Sequence, residues 1–368
     1  MKIEIQKKDL LNLIARTQNI VEKRNTMPVL VNVLLDASEG SLKAYATDLE
    51  VSLTDSVPAQ IKESGKVAVS AKNLFEITKE LFDGPAQLIK KDNNWLEIKQ
   101  GKFLSKIVGV PFEEYPVFPT YNSENFSKID ASEFKQMIDK TIYSVSNDET
   151  RYHLNGVYFE SVDKNTITMV ATDGHRLSLI KKTFAGLSFN EKIGVIIPKK
   201  GLFEIKKLIE SSVSDVYVAV EGSQFILKSG TCILMIRLIE GKYPNYQQFI
   251  PQKLSHKVVI SREHILSSLK RVSLFANQKS KAILLSFSTD KLEITSNNPE
   301  LGDAKEELDV DYKGPEIKIG FNARYIEDVL KNIEQDKIEI ELNDQVSPGV
   351  VKAHGKDNYI NVVMPMRI

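Results

Sequence analysis

Three short signatures return in the same order along this chain at a spacing near 125 residues. A repeat of that length restricts the fold more than any local pattern does. Ala46-Thr47-Asp48-Leu49-Glu50 recurs as Ala171-Thr172-Asp173-Gly174-His175-Arg176-Leu177, with a weaker echo at Thr295-Ser296-Asn297-Asn298-Pro299-Glu300. Val69-Ser70-Ala71-Lys72-Asn73-Leu74-Phe75-Glu76-Ile77 matches Ile197-Pro198-Lys199-Lys200-Gly201-Leu202-Phe203-Glu204-Ile205 and, more loosely, Gly320 to Asp328. Glu114-Tyr115-Pro116 returns as Lys242-Tyr243-Pro244. Agreement of register among separate signatures makes a chance repeat untenable.

Each copy opens on a short alternating strand, such as Lys2-Ile3-Glu4-Ile5 or Lys257-Val258-Val259-Ile260, that leads into an amphipathic helix. Leu10, Leu13, Ile14, Ile20 and Val21 fall on one helical face in the first copy. Phe134, Met137, Ile138, Thr141 and Val145 do so in the second, and Ile265, Leu269, Val272 and Phe275 in the third. A second helix is expected from Lys72, Lys199 and Asn322 onward. The rest reads as β-rich runs broken by Gly, Asn, Asp and Pro. The pattern predicts an α+β chain of three repeated domains, 1–122, 126–252 and 256–368, each with two helices packed on antiparallel sheets. The boundaries fall in the polar, proline-bearing stretches around 119–127 and 251–256.

Chemistry is harder to find. The lone cysteine, Cys232, rules out an internal disulfide and a multi-cysteine zinc site, and its apolar neighbours mark it as a small buried hydrophobe. The five histidines show no metal-ligand spacing, and Gly355-Lys356 is followed by Asp357 rather than by the Ser or Thr of a phosphate loop. No metal and no cofactor is expected. Asp173 beside His175 could form an acid/base pair, but Asp48 and Asn298 hold the equivalent positions without a histidine, which favours a turn role. No apolar leader or membrane-length run is present, so a cytoplasmic protein is expected.

Forty-nine basic residues balance forty-nine acidic ones, which argues against tight nucleic-acid binding through many phosphates. The polar helix faces are nevertheless basic in all three copies. They carry Lys8, Asn12, Arg16, Asn19 and Lys23, then Gln136, Lys140 and Tyr143, then Ser267, Lys270 and Arg271. Lys72, Lys79, Lys199, Lys200, Lys206, Lys207, Arg324 and Lys331 add cations on the second helices. If the helices share one side, that side attracts phosphates while the acids gather elsewhere. The chain also ends on Val362-Val363-Met364-Pro365-Met366-Arg367-Ile368, an apolar terminus of the kind either pinned as a last core strand or kept as a binding surface.

The threefold repeat, Ala171–Leu177, Arg151-Tyr152-His153-Leu154-Asn155-Gly156 and the closing Met364-Pro365-Met366-Arg367 closely resemble the bacterial DNA polymerase III beta subunit family, the sliding clamps. The resemblance spans Met1 to Ile368. It implies a non-catalytic processivity factor: a homodimeric ring, each chain forming half, with the helices around a central hole and the sheets outside. It implies contact with double-stranded DNA, without sequence specificity, through Arg24, Tyr152, His153, Lys199 and Lys200. It implies a pocket for short linear motifs of the DNA polymerase III alpha subunit, the clamp loader and other replication and repair proteins. That pocket comprises Leu154, Thr172, Gly174, His175, Arg176, Leu177, Pro244, Val346, Val362, Met364, Pro365, Met366 and Arg367, with Asn322 and Tyr325 nearby. The subunit interface is expected at Leu274 and Phe275 of one chain and Ile107 of the other. Departures from the family pattern are His153, Lys199-Lys200, Gln248, Phe249 and Pro348. The competing readings are a DNA-modifying enzyme built on Asp173 and His175, and a peptide-binding repeat scaffold that does not act on DNA.

Overall fold

The computed structural model describes residues 1–21, 27–122, 126–161, 163–187, 189, 192–211 and 215–367. Within them each repeat contributes two α-helices: α1 (Lys7–Gln18) and α2 (Ala71–Glu80), α3 (Ala131–Ile142) and α4 (Lys199–Ser211), α5 (Arg262–Val272) and α6 (Ala323–Lys331). Every helix follows a short strand: Lys2–Gln6 precedes α1, Gly65–Ser70 precedes α2, and Ile193–Pro198 precedes α4. The junctions are built from local chemistry. Ser70, Ser261 and Asn322 accept amide hydrogen bonds in the first turns of α2, α5 and α6, while Pro198 ends its strand with no amide to donate.

The helices bury the expected stripe, including Leu10, Leu13 and Ile14 in α1, Phe134, Met137 and Ile138 in α3, and Ile265, Leu269 and Val272 in α5. They are shorter than the apolar period suggested. Ile20 and Val145 are buried beyond the helix ends, and Phe275 closes a 3-10 turn, Ser273–Phe275. Apolar side chains in the following loop continue the period without continuing the helix. Thr17, Thr78 and Thr141 also lie in the stripe, each hydroxyl satisfied by the carbonyl four residues back, at 3.2, 2.7 and 2.9 Å.

Two compact units result. One comprises Met1–Ser132 with Lys200–Leu238, the other Glu133–Lys199 with Ile239–Ile368. Sheet continuity explains why these units cut across the middle repeat. In the first unit, strand Val51–Pro58 pairs antiparallel with Cys232–Arg237, with Leu53 opposite Leu234, which joins first- and second-repeat strands into a nine-stranded sheet. A five-stranded sheet completes that unit. In the second unit Arg176–Thr183 pairs with Tyr359–Val363, with Leu177 opposite Val362, inside an eight-stranded sheet, and a four-stranded sheet lies beside it in sequence. The architecture is α+β with antiparallel sheets throughout.

Packing explains several residues. A Cβ on Gly201 would meet Ile236 Cγ2 at 2.4 Å, so α4 can lie on strand Cys232–Arg237 only with glycine there. Cys232 is buried, and burial pushes its thiol up to about 12. Ile107, at the end of strand Phe103–Ile107, is 5% exposed and packs into the core of the first unit. Its side chain leaves little surface for the interface role that the resemblance implied; Phe103 and Leu104 are the exposed apolar residues of that strand. Tyr143 is not on a solvated polar face either. Its hydroxyl sits among Ser178, Tyr359 and Asn361 at 2.7–2.8 Å, and burial pushes it up to about 12. No helix among the described residues is long and apolar enough to cross a membrane.

Candidate peptide pocket and nucleic-acid contacts

The pocket begins with a turn that the repeat predicted. Asp173 Oδ1 accepts from the amides of His175 and Arg176 at 2.9 and 3.1 Å. Asp48 does the same for Glu50 and Val51 at 2.9 and 2.7 Å, and Asn298 for Glu300 at 3.0 Å. Thr172 and Thr47 accept from the residue two on, at 3.1 and 3.0 Å. These are Asx turns at three equivalent sites. The second carboxylate oxygen of Asp173 takes Arg176 Nε at 3.0 Å, so the carboxylate is committed to the turn and to Arg176 rather than to the imidazole of His175. An acid/base pair is not built here.

Arg176 is the hub. Its side chain is 10% exposed and lies between two carboxylates, Asp173 and Asp328, the latter at 2.8 Å from Nη1. Nη2 donates to the Tyr143 carbonyl at 2.6 Å, and the guanidinium stands 4.7 Å from the centre of the Tyr325 ring. A guanidinium held by two carboxylates, a carbonyl and an aromatic face is fixed in plane and position. His175 stacks on Tyr325 at 6.4 Å.

Beside this hub opens a mainly apolar cavity of about 180 Å³, lined by Leu154, Thr172, Gly174, Arg176, Leu177, Pro244, Tyr246, Phe249, Val362 and Met364. Leu177 and Val362 form its floor because they face each other across adjacent strands. The Met364 amide donates to the His175 carbonyl at 2.9 Å, which brings the chain's end to the turn. Eight of the residues anticipated from the sequence line the cavity. His175, Tyr325 and Asn322 surround Arg176 and the start of α6 instead, and Val346 is exposed in a separate loop held by Asp344. Met366 and Arg367 line a different depression, against the four-stranded sheet. Tyr246 and Phe249 are additional walls. They share the 3-10 turn Tyr246–Phe249 directly after Tyr243-Pro244, and their spacing of three, one such turn, was the available signal. Tyr246 is anchored by donating to Glu160 at 2.7 Å, and Tyr243 stacks on Tyr158 at 5.0 Å.

Models of the N-terminal, central and C-terminal domains of the DNA polymerase III beta subunit match residues 1–119, 128–245 and 247–367. The chain is 32% identical to the beta sliding clamp of Rickettsia felis over 382 residues, all of both chains. It belongs to the DNA polymerase III beta subunit family, the bacterial sliding clamps. The crystal structure of the Pseudomonas aeruginosa DNA polymerase III subunit beta superposes with a TM-score of 0.95 at 31% identity, covering both chains fully. A sliding clamp from Bartonella birtlesii bound to griselimycin does so with a TM-score of 0.93, also at 31% identity and full coverage of both chains. Sliding clamps are processivity factors rather than enzymes.

The residues that the clamp resemblance assigned to DNA are in varied settings. Arg24 lies outside the described residues. Tyr152 is well exposed on the 3-10 segment Glu149–Leu154, with the His153 ring edge-on at 5.7 Å. Lys199 Nζ donates to Asn147 Oδ1 at 3.1 Å, and burial together with Arg176 holds its ammonium below the usual lysine value. Lys200 Nζ lies 2.6 Å from the buried Asp48 carboxylate, and Arg16 Nη1 is 2.7 Å from buried Asp55. Much of the basic helix surface is thus already paired within the protein: Lys140 lies 3.7 Å from Glu334, and Arg271 pairs with Glu306. Leu274 is 72% exposed, with Phe275 half-buried next to it.

Proposed function

We propose that two copies of this chain close head to tail into a ring around duplex DNA, and that partners hold on through short peptides seated in the Leu177–Val362 cavity. The observation that carries the ring is a complementary pair of sheet edges. Strand Phe103–Ile107 ends the five-stranded sheet, and strand Gly302–Asp309 ends the four-stranded one. Residues 99–106 carry Lys99, Lys102 and Lys106 and no acid; residues 300–311 carry six acids and one lysine. Exposed Phe103 and Leu104 accompany the first edge, and Leu274 precedes the second in sequence. An open edge invites pairing, and opposite charges select this pairing over self-pairing. Two such contacts between two copies leave neither edge free, which is closure.

The weak, internally balanced charge of the helices suits a ring that slides. Retention then comes from enclosure, while phosphate contacts at Tyr152, His153, Lys199 and Lys200 remain loose and read no bases. The peptide cavity, apolar with a rigid Arg176 at its rim, suits a motif with two large apolar side chains. Its occupants would be the polymerase III alpha subunit, the clamp loader and other motif-bearing proteins of replication and repair, in the cytoplasm where the chromosome lies. The boundaries 1–122, 126–252 and 256–368 are kept as the domain division of that ring. Negative-stain images of the purified protein test the reading: annular particles support it, and open crescents at every concentration overturn it.

A further inference from the structure

Of the walls of the apolar cavity, Leu154, Leu177, Tyr246 and Val362 are buried, whereas Phe249 is 55% exposed. Phe249 and Tyr246 belong to one 3-10 turn, Tyr246–Phe249, in which side chains three apart lie one above the other. Both rings therefore stand on the cavity side of the turn, yet they are held differently. Tyr246 is committed: its hydroxyl donates to Glu160 Oε2 at 2.7 Å, and its ring lies 6.2 Å from that of Tyr158, which stacks in turn on Tyr243. The turn itself is closed by the Gln248 amide, which donates to the Asn245 carbonyl at 3.3 Å. Phe249 has no aromatic or cationic neighbour at its ring among the described residues. A fixed backbone thus carries an exposed, unpartnered ring at the mouth of an apolar cavity.

We infer that Phe249 is a specificity-determining residue, whose ring selects an aromatic side chain of the docked peptide over an aliphatic one of the same size. The inference rests on the peptide reading of the cavity. Volume is the first argument. A dry apolar cavity of about 150 Å³ takes one benzene. The cavity here, of about 180 Å³, therefore seats one ring-sized side chain and has no room for a second. A side chain that enters meets Phe249 at the mouth. Ring chemistry is the second argument. Edge-to-face or offset contact between two aromatic rings gives roughly a twofold to tenfold gain in affinity beyond the burial of the same area, and an aliphatic guest gains none of it. Tyr158 and Glu160 have claimed Tyr246, so Phe249 is the wall with a ring face and edge left to offer. Covering its exposed surface is favourable for any apolar guest, and only the ring contact discriminates among them.

Calorimetric titration of the full-length protein in a double-mutant cycle tests this. One probe is the core pentapeptide Gln-Leu-Ser-Leu-Phe. The other carries cyclohexylalanine in place of its phenylalanine, which keeps the ring's size and removes its π-system. Wild type is expected to favour the phenylalanine peptide over the cyclohexylalanine peptide by roughly twofold to tenfold more than Phe249→Leu does. Phe249→Trp should keep the wild-type preference, because it restores an aromatic ring at the same place. General loss of folding would weaken both peptides alike and could not produce this pattern. A Phe249→Leu protein that retains the whole preference overturns the inference while leaving the cavity reading intact. If the core pentapeptide fails to bind wild type at all, the cavity reading falls and the inference with it.

Discussion

The Met364 amide donates to the His175 carbonyl at 2.9 Å, and in the other unit the Arg237 amide donates to the Glu50 carbonyl at 2.8 Å. The two bonds are the same element of the repeat: each ties a closing strand of one copy to the Asx turn of the copy before it. Only the side chains differ. Where the pocket has Gly174, His175 and Met364, its counterpart has Leu49, Glu50 and Arg237. An apolar cavity by Met364 thus has a charged counterpart, where Lys200 already answers Asp48. The backbone supplies the frame at both places, and composition makes one site apolar and the other charged.

The same comparison makes a stability prediction. Leu49 and Gly174 hold equivalent left-handed positions, at φ 76° and 88°. A leucine in that region is strained by about 1 kcal/mol or more. Leu49→Gly is expected to raise the unfolding free energy slightly, by up to about 0.5 kcal/mol, because lost strain outweighs added chain freedom. Gly174→Ala should lower it by about 1 kcal/mol, since its Cβ would also press on Arg151 Nη1 at 2.7 Å. Urea titrations of the two variants read both signs.

The repeat made the fold legible because its signatures mark turns and helix starts, which are local chemistry. Ala71, Lys199 and Ala323 begin their helices within a residue of the expected positions. What escaped the sequence was pairing at a distance. Nothing near Arg16 or Lys200 announces that Asp55 or Asp48 neutralises it, so a basic face overstates the charge available. Ile107 was placed at the interface by resemblance alone, and its burial depends on core partners far away in the sequence. Tyr246 and Phe249 join the cavity through a single 3-10 turn, whose one trace in the sequence is their spacing of three.

Cavity binding separates into apolar and polar contributions. A peptide Leu or Phe that becomes fully buried there contributes about 1.5–3 kcal/mol before ordering costs. Leu177→Ala should weaken the core pentapeptide by roughly tenfold or more. Deleting Met364 to Arg367 should abolish binding while the dimer persists, because Leu274 and strand Gly302–Asp309 are untouched. Calorimetry beside sedimentation checks both. A truncated chain that binds as well as wild type would place the peptide elsewhere.

The interface prediction distinguishes surface from core. Leu274→Asp and Leu104→Asp should each give folded monomers at concentrations where wild type is dimeric, the lost apolar burial amounting to about 2 kcal/mol per contact. Ile107→Asp should instead unfold the first unit, because it places a carboxylate among buried aliphatic side chains. Sedimentation velocity with circular dichroism separates the outcomes. Dimers of Leu274→Asp at wild-type affinity would exclude this edge.

Acid should loosen the second unit through Glu339. Its side chain is 1% exposed, with Lys257 Nζ at 2.6 Å, His354 Nδ1 at 2.6 Å and the Gly355 amide at 2.9 Å. Burial alone would raise this carboxyl, but those partners together hold it below its ordinary 4.5. A depressed folded value means the stabilisation is present above pH 4.5 and fades as pH falls through the lower folded value. Glu339→Gln is expected to cost about 2 kcal/mol at pH 7, less than for a fully buried pair because Lys257 reaches solvent. It should also flatten the acid limb of the stability profile. A limb of unchanged slope in the variant would assign acid sensitivity to other carboxylates.

Enclosure and affinity predict opposite responses to DNA topology. Binding held by several phosphates should fall by orders of magnitude as salt rises from about 50 to 200 mM. This chain has no net charge, and Lys200 and Arg16 are paired to buried carboxylates, so it has little such affinity to lose. A ring loaded on nicked circular DNA should persist through that rise, because leaving requires an interface to open. One restriction cut creates ends and should release it by sliding. Gel filtration of loaded circles at raised salt, before and after the cut, reads the difference directly. Co-elution lost only after cutting supports a ring threaded by DNA. Loss from intact circles on raising the salt, or indifference to the cut, would mean that the cationic side chains alone hold the duplex.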